Sequence, residues 1–175
     1  MQKIATVINR ELKWEQPSAF KQLYELRTND GLVATLTFPN SFRCNATGQS
    51  ADGCWDFSRE GSLQSRILVR QCGSSDHIAT FQKSWWKSCG TLELPDARTF
   101  RTASNLWASR YSFLDKSGEP IIELKNCGVL HRAATLAIAR RALDIPELPM
   151  MVILAWYLDV LMQNEAGVAT MAAAG

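Results

Sequence analysis

The chain has few of the residues and patterns that mark an enzyme, a metal protein or a nucleic-acid-binding protein. Its two histidines, His77 and His131, lie in unrelated segments, and no cysteine or histidine has zinc-site spacing. Gly-x-Ser-x-Gly, P-loop and dinucleotide-binding patterns are all missing from the 175 residues. The net charge is only +2, and the sequence contains no block of Lys and Arg residues. The sequence therefore predicts a non-enzymatic protein without metal, cofactor or nucleic-acid partner.

The first residues lack the apolar core of a signal peptide, and no C-x-x-C pair occurs. The five cysteines form an odd set: Cys44, Cys54, Cys72, Cys89 and Cys127. Cys44 and Cys54 are spaced to face each other across a hairpin, but such a set is more typical of thiols in a reducing compartment. We therefore expect free thiols and a cytoplasmic protein, either free or peripheral to the membrane.

What the chain does contain is one long apolar run, Leu148–Met162. A helix that is apolar almost all the way round must be hidden, either in lipid or inside protein. From Met150 to Met162 it would rise only ~20 Å, against a hydrocarbon core of ~30 Å. Asp159 inside the run would cost ~2.5–3.5 kcal/mol near a bilayer centre. We predict a buried core helix at about 149–163, and the alternative is a tail anchor through the same run.

Upstream of this run, short segments with alternating apolar and polar residues are separated by turn residues such as Asn29-Asp30-Gly31. Regular short strands of this kind are typical of an antiparallel sandwich or barrel. The predicted strands are Leu12–Glu15, Leu23–Thr28, Leu32–Phe38, Phe42–Gly48, Gly53–Arg59, Leu63–Cys72, His77–Lys83, Gly90–Leu94, Arg98–Thr102, Trp107–Leu114, Ile121–Asn126 and Ala133–Arg141.

The alternation also predicts which side chains face inward. Ile67 and Val69 share one face of their strand, while Arg66 and Arg70 share the other. A closed antiparallel barrel of about twelve strands around a central hydrophobic C-terminal helix buries all the apolar faces and removes the sheet edges. A sandwich with the helix across one open end is the competing architecture. The helix residues predicted to fill the barrel are Met151, Leu154, Trp156, Tyr157, Leu158, Asp159 and Leu161.

We expect one monomeric domain over residues 1–165, followed by a frayed tail over 166–175. Three parts of this domain resemble one known superfamily. They are Leu12-Lys13-Trp14-Glu15-Gln16-Pro17-Ser18 with Tyr24-Glu25-Leu26-Arg27; Gly90-Thr91-Leu92-Glu93-Leu94-Pro95-Asp96 with Asn105-Leu106-Trp107; and Pro146-Glu147-Leu148-Pro149 with Leu154-Ala155-Trp156-Tyr157-Leu158.

Together these segments resemble small bacterial proteins of unassigned function in the tubby C-terminal-like superfamily, which includes the LURP-one-related proteins and the phospholipid scramblases. The resemblance covers Leu12 to Met162 and implies a twelve-stranded antiparallel barrel around a hydrophobic C-terminal helix. Asp159 departs from the pattern, because such helices usually stay apolar. We expect its carboxylate either to reach the mouth of the barrel or to pair with a basic side chain.

Tubby domains bind phosphoinositides and scramblases are linked to lipid movement, so the resemblance implies anionic phospholipid as a partner. A basic cluster can hold a phosphate head group while indole rings rest in the membrane interface. Alternatively, the basic residues form a solvated strand face, the two tryptophans cap one barrel end, and the protein is a structural or protein-interaction barrel whose partner is an unknown protein. The head-group candidates are Arg66, Arg70 and Lys83, taken to face outward, with Lys87 beside Trp85 and Trp86.

Overall fold

The computed structural model describes residues 1–18, 21–39, 44–61, 66–84, 89–105, 109–127 and 132–173, with side chains as far as Glu165. Within these residues the chain forms twelve antiparallel strands, each paired with the next, and the last pairs with the first. The closed barrel is therefore confirmed, and the open sandwich is wrong. The strands are β1 (Leu12–Glu15), β2 (Leu23–Thr28), β3 (Gly31–Thr37), β4 (Ala46–Ser50), β5 (Gly53–Glu60), β6 (Arg66–Gln71), β7 (His77–Lys83), β8 (Gly90–Glu93), β9 (Thr99–Ser104), β10 (Arg110–Leu114), β11 (Pro120–Asn126) and β12 (Ala133–Ile138).

Three helices accompany the barrel in the described residues: α1 (Ile4–Val7), a 3₁₀ helix (Arg140–Asp144) and α2 (Leu148–Ala173). The predicted last strand is too long, because the 3₁₀ helix takes its final residues. The helix predicted to end near residue 163 continues to Ala173, through residues expected to fray. This extension is rich in alanine, the residue with the highest helix propensity.

The core of the barrel is α2. Every residue from Met150 to Leu161 is buried, including all those predicted to fill the barrel. The Trp156 ring stacks on that of Trp14 with centroids 5.6 Å apart, and the Tyr157 ring stacks on that of Phe57 at 5.1 Å. The tail-anchor alternative is therefore wrong, because strands rather than lipid surround the run. None of the helices in the described ranges combines the length and apolar character needed to cross a bilayer.

Gly48 on β4 lets α2 approach the barrel wall. A Cβ atom at this position would lie 2.5 Å from Cγ2 of Ile153 and 3.0 Å from Cε2 of Phe57. Both distances are shorter than ordinary van der Waals contact, so a side chain would have to push the helix or the ring aside.

We expect Gly48→Ala to lower the free energy of unfolding by about 1–3 kcal/mol, the usual cost of overpacking a core. Urea denaturation of the variant measures this loss. Ile153→Ala removes the Cγ2 atom that the new methyl group would meet, so the double variant should be more stable than the sum of the two single effects. Strict additivity of the two changes would show that the residues do not interact.

The expectation of free thiols is wrong for two of the five cysteines. Cys54 and Cys72 form a disulfide with Cα atoms 5.4 Å apart, between the start of β5 and the residue after β6. The strand register explains the pairing: Trp55 lies opposite Gln71, so the next residues along the ladder face each other. The pairing expected as the alternative, Cys44 with Cys54, does not form. Cys44, Cys89 and Cys127 carry free thiols.

The barrel has two ends, which differ in chemistry. Next to the first residue of α2, Glu147 accepts a hydrogen bond from Arg98 at 2.6 Å. At the other end of the barrel, Glu165 of α2 meets the ends of β5 and β7. We term these ends the Glu147 mouth, with connections 29–30, 51–52, 72–76, 94–98, 115–119 and 139–147, and the Glu165 mouth, with connections 16–22, 38–45, 61–65, 84–89, 105–109 and 127–132.

Candidate functional site

The predicted head-group residues do not share one surface. Arg66 and Arg70 lie on the outer face of β6, as the alternation predicts. The Arg70 guanidinium donates to Ser58 Oγ at 2.8 Å and to the Ser75 carbonyl at 3.2 Å, and it lies 3.4 Å from the carboxylate of Glu60. Arg66 is exposed at the Glu165 mouth, with no carboxylate of the described residues forming an ion pair to it. Of this pair, only Arg66 forms no ion pair with a described residue, although Glu60 lies opposite it in the β5–β6 ladder.

Lys83 faces the opposite way from the prediction. It lies two residues after the buried Phe81 on β7, and alternation places both side chains on the inner face of the barrel. Its ammonium group forms an ion pair with the carboxylate of Glu165, and Arg59 of β5 donates to the same carboxylate at 3.0 Å. The outward assignment of Lys83 is therefore wrong. The sequence prediction also missed Arg59, although it lies two residues after the inward-facing Phe57.

An apolar crevice lies beside this trio of charges. Its free volume is about 20 Å³, which is room for about one water molecule. It is therefore too small to take an acyl chain, and the chemistry available there is that of two cations above an apolar floor. The apolar side chains of the floor are Ile67, Phe81, Tyr111, Leu158, Leu161 and Met162.

Asp159 is buried in α2, six residues before Glu165 of the charged trio. Its carboxylate accepts hydrogen bonds from Asn126 Nδ2 at 3.2 Å and from Gln163 Nε2 at 2.6 Å. Burial raises the pKa of Asp159 from its usual 3.8 to about 6, although these two hydrogen bonds and the positive charge of Arg132 act in the opposite direction. Arg132 itself donates to Asn164 Oδ1 at 2.5 Å. Two amides, rather than the basic partner in an ion pair, therefore hold the carboxylate.

No protein-family model matches this chain, and no curated protein gives a significant match to it. Among solved structures, the X-ray structure of the Arabidopsis thaliana protein AT5G01750 is similar, with a TM-score of 0.51. The match covers 82% of this chain and 90% of that one, at 12% sequence identity. That protein has a tubby-like barrel fold. This chain shares it. Because identity is so low, the likeness establishes the fold alone.

The six connections at the Glu165 mouth contain no negative charge, although Glu15, Glu60 and Glu165 lie at the same end of the barrel on β1, β5 and α2. These connections contain four Lys or Arg and no Asp or Glu in their sequence. They also contain three of the six tryptophans, whereas the other three are buried in the described core. Three of the residues predicted to contact lipid belong to these connections by sequence and lie outside the described residues: Trp85, Trp86 and Lys87. The cations are Lys21, Arg43, Lys87 and Arg132, and the tryptophans are Trp85, Trp86 and Trp107.

The Glu147 mouth has the opposite composition. Its connections contain eight Asp or Glu, four Lys or Arg and no aromatic residue. Several of the carboxylates are fixed by the turns; the hydroxyl of Ser117 donates to Asp115, and Arg141 lies 2.9 Å from the same carboxylate. These contacts lower the pKa of Asp115, so that its charge persists into acid. The two ends of one barrel thus separate acidic turns from basic and aromatic ones.

Proposed function

We propose that this protein is a non-enzymatic, monomeric module that binds anionic phospholipid surfaces through the Glu165 mouth and uses no cofactor. A cytoplasmic address stays a prediction, and the Cys54–Cys72 disulfide argues against a strongly reducing compartment. The observation that carries this proposal is the complete lack of Asp and Glu in the six connections at that mouth. Solvent-exposed turns ordinarily contain Asp, as the turns of the Glu147 mouth do. Membership of a bacterial branch of the tubby-like superfamily stays a prediction.

The energetics favour this orientation on a membrane. Each Lys or Arg near an anionic leaflet contributes about 1 kcal/mol of attraction, and a carboxylate nearby would cancel it. Lys21 and Arg66 are exposed at this mouth and form no ion pair with a described residue. Glu60, opposite Arg66 in the β5–β6 ladder, pairs instead with Arg70. Tryptophan is the residue most enriched at membrane interfaces, and two of the three in these connections are adjacent, Trp85 and Trp86. The proposal thus keeps the predicted lipid partner but moves its contact surface from a strand face to a barrel end.

Co-sedimentation with vesicles tests the proposal. We expect the protein to bind vesicles of phosphatidylcholine with phosphatidylserine at low salt, and binding should weaken as added salt screens the charges. Lys21→Gln with Arg66→Gln removes two exposed cations from the Glu165 mouth and should weaken binding by roughly tenfold or more. The matched control is Lys116→Gln with Arg140→Gln, which makes the same change in charge at the Glu147 mouth, and it should leave binding unchanged.

Two results would contradict the proposal. If the unmodified protein does not bind anionic vesicles at low salt, it has no membrane-surface function of this kind, and the alternative of a protein-interaction barrel would be favoured. If both double variants lose binding equally, attraction depends on net charge and not on the Glu165 mouth. Circular dichroism of all the variants establishes that they remain folded.

A further inference from the structure

Two cations at the Glu165 mouth share one carboxylate. Arg59 and Lys83 come from β5 and β7, the strands on either side of β6, and both face the inside of the barrel. Glu165 reaches them from α2 and forms an ion pair with each. The side chains of all three are about one-third exposed, at 32%, 36% and 41%. The trio therefore has one positive charge in excess and is accessible from solvent.

The apolar floor beneath the trio strengthens its preference for an anion. Phe81, Leu158 and Leu161 line the inner side of the crevice beside the two cations and leave room there for about one water molecule. A charge that is partly shielded from water interacts more strongly with an opposite charge than one on an open surface. An anion that replaces Glu165 would meet the same two donors above the same apolar floor.

The position of Glu165 allows its carboxylate to move away from Arg59 and Lys83. The tightly buried part of α2 ends at Leu161; Met162 and Gln163 are half-buried, and Asn164 and Glu165 are exposed. A rotation of the Glu165 side chain away from the barrel does not disturb any buried residue of the helix. The two ion pairs that would break are partly exposed, and pairs of this kind contribute little to stability.

We propose that Arg59 and Lys83 form a binding site for the phosphomonoester head group of phosphatidic acid, and that Glu165 occupies this site when no lipid is bound. A phosphomonoester carries about −1.5 to −2 charges at neutral pH, which matches two cations better than one carboxylate does. The planar guanidinium of Arg59 suits bidentate contact with phosphate oxygens. The inference rests on the proposed membrane function, and it names the lipid class and an internal competitor for the site.

A purely structural role for the trio makes different predictions. If Glu165 only fastens α2 to β5 and β7, then Glu165→Gln should lower thermal stability and have no effect on ligand affinity. If Glu165 competes with the head group, then Glu165→Gln should raise the affinity for phosphatidic acid. Measuring affinity and stability on the same variants separates the two roles.

The test uses titration calorimetry with dihexanoyl phosphatidic acid, a short-chain lipid held below its micelle concentration, and with inorganic phosphate as a separate ligand. We expect Glu165→Gln to bind the lipid roughly three- to tenfold more tightly, since two partly exposed ion pairs no longer compete. Arg59→Gln with Lys83→Gln should abolish binding. The matched control is Glu60→Gln, which removes a carboxylate that pairs with Arg70 on the outer face and should not change affinity.

Unchanged or weaker lipid binding by Glu165→Gln would overturn the inference, and equal affinity for inorganic phosphate would overturn the assignment to lipid. The proposed membrane function is judged independently. If Arg59→Gln with Lys83→Gln still binds phosphatidylserine vesicles like the parent, and Glu165→Gln shows no gain, the head-group site fails while membrane binding stands. If Glu165→Gln gains affinity for the short-chain lipid but no form of the protein binds vesicles, the site stands and the membrane function fails.

Discussion

Deletion of residues 148–175 should leave a chain that does not fold. The deletion removes twelve consecutive buried residues, Met150 to Leu161, from the middle of the barrel. Burial of one large apolar side chain contributes about 1.5–3 kcal/mol, so that Ile153, Leu154 and Trp156 alone represent a large share of the ~5–15 kcal/mol that stabilises a typical domain. The strands would also lose the surface on which their inner faces pack. We expect an insoluble product, or one without a cooperative thermal transition.

The matched control is a chain that ends at Glu165. It keeps all the α2 side chains that the structure describes as buried, together with the ion pairs to Arg59 and Lys83. We expect it to be soluble and to melt cooperatively, with near-ultraviolet circular dichroism like that of the full chain because the Trp14–Trp156 stack is intact. A folded 1–147 fragment would contradict the role of α2 as the core of the barrel.

The strand ends at the Glu147 mouth could be predicted well, because the turns that join them have strong sequence signals. The alternation of apolar and polar residues stops clearly at Asn29-Asp30 and at each later turn that contains Asp. The connections at the Glu165 mouth contain apolar and aromatic residues. The alternation of apolar and polar residues therefore continues past the true strand ends, and the predicted strands start too early. β4 begins at Ala46, with Cys44 and Asn45 outside the strand, and β10 begins at Arg110, with Ser109 outside it. The first residues of both predicted strands lie outside the described residues.

The candidate site could be predicted only in part, because sequence patterns describe single strands and not the contacts between distant elements. Alternation is a local rule and was sufficient to place Arg66 and Arg70 on the outer face. The same rule, applied from Phe81, would have placed Lys83 inside. It could not have shown that Glu165 meets Lys83, because that contact depends on how far α2 extends through the barrel. The Cys54–Cys72 pairing likewise depends on the β5–β6 register and not on the spacing of the two residues in sequence.

Replacement of Asp159 by Asn should stabilise the protein at pH 7.5 and should do so less at pH 5. The pKa of Asp159 is about 6 in the folded protein, above its usual 3.8, so the folded state favours the protonated carboxyl. The stability that this preference contributes is complete below pH 3.8 and is lost as the pH rises through about 6. At pH 7.5 the ionised carboxylate therefore costs roughly 3 kcal/mol, as an upper bound, and an uncharged Asn avoids that cost.

Asn also retains the hydrogen bonds, because the amides of Asn126 and Gln163 can turn to present either a donor or an acceptor. Leu at position 159 would remove the acceptor of both hydrogen bonds, so Asp159→Leu should be less stable than Asp159→Asn. Urea denaturation at the two pH values measures these differences. The advantage of Asp159→Asn over the parent should fall by roughly 1.5 kcal/mol between pH 7.5 and pH 5.

The control for this pH dependence is Asp144→Asn, in the exposed 3₁₀ helix. It removes a carboxylate from the surface and should change stability by less than about 0.5 kcal/mol at either pH. If Asp159→Asn instead destabilises the protein at pH 7.5, the ionised carboxylate must be stabilised at this site, and the positive charge of Arg132 would then outweigh burial. In that case Arg132→Gln should reduce the difference between Asp159→Asn and the parent, because the charge that favours the carboxylate would be gone.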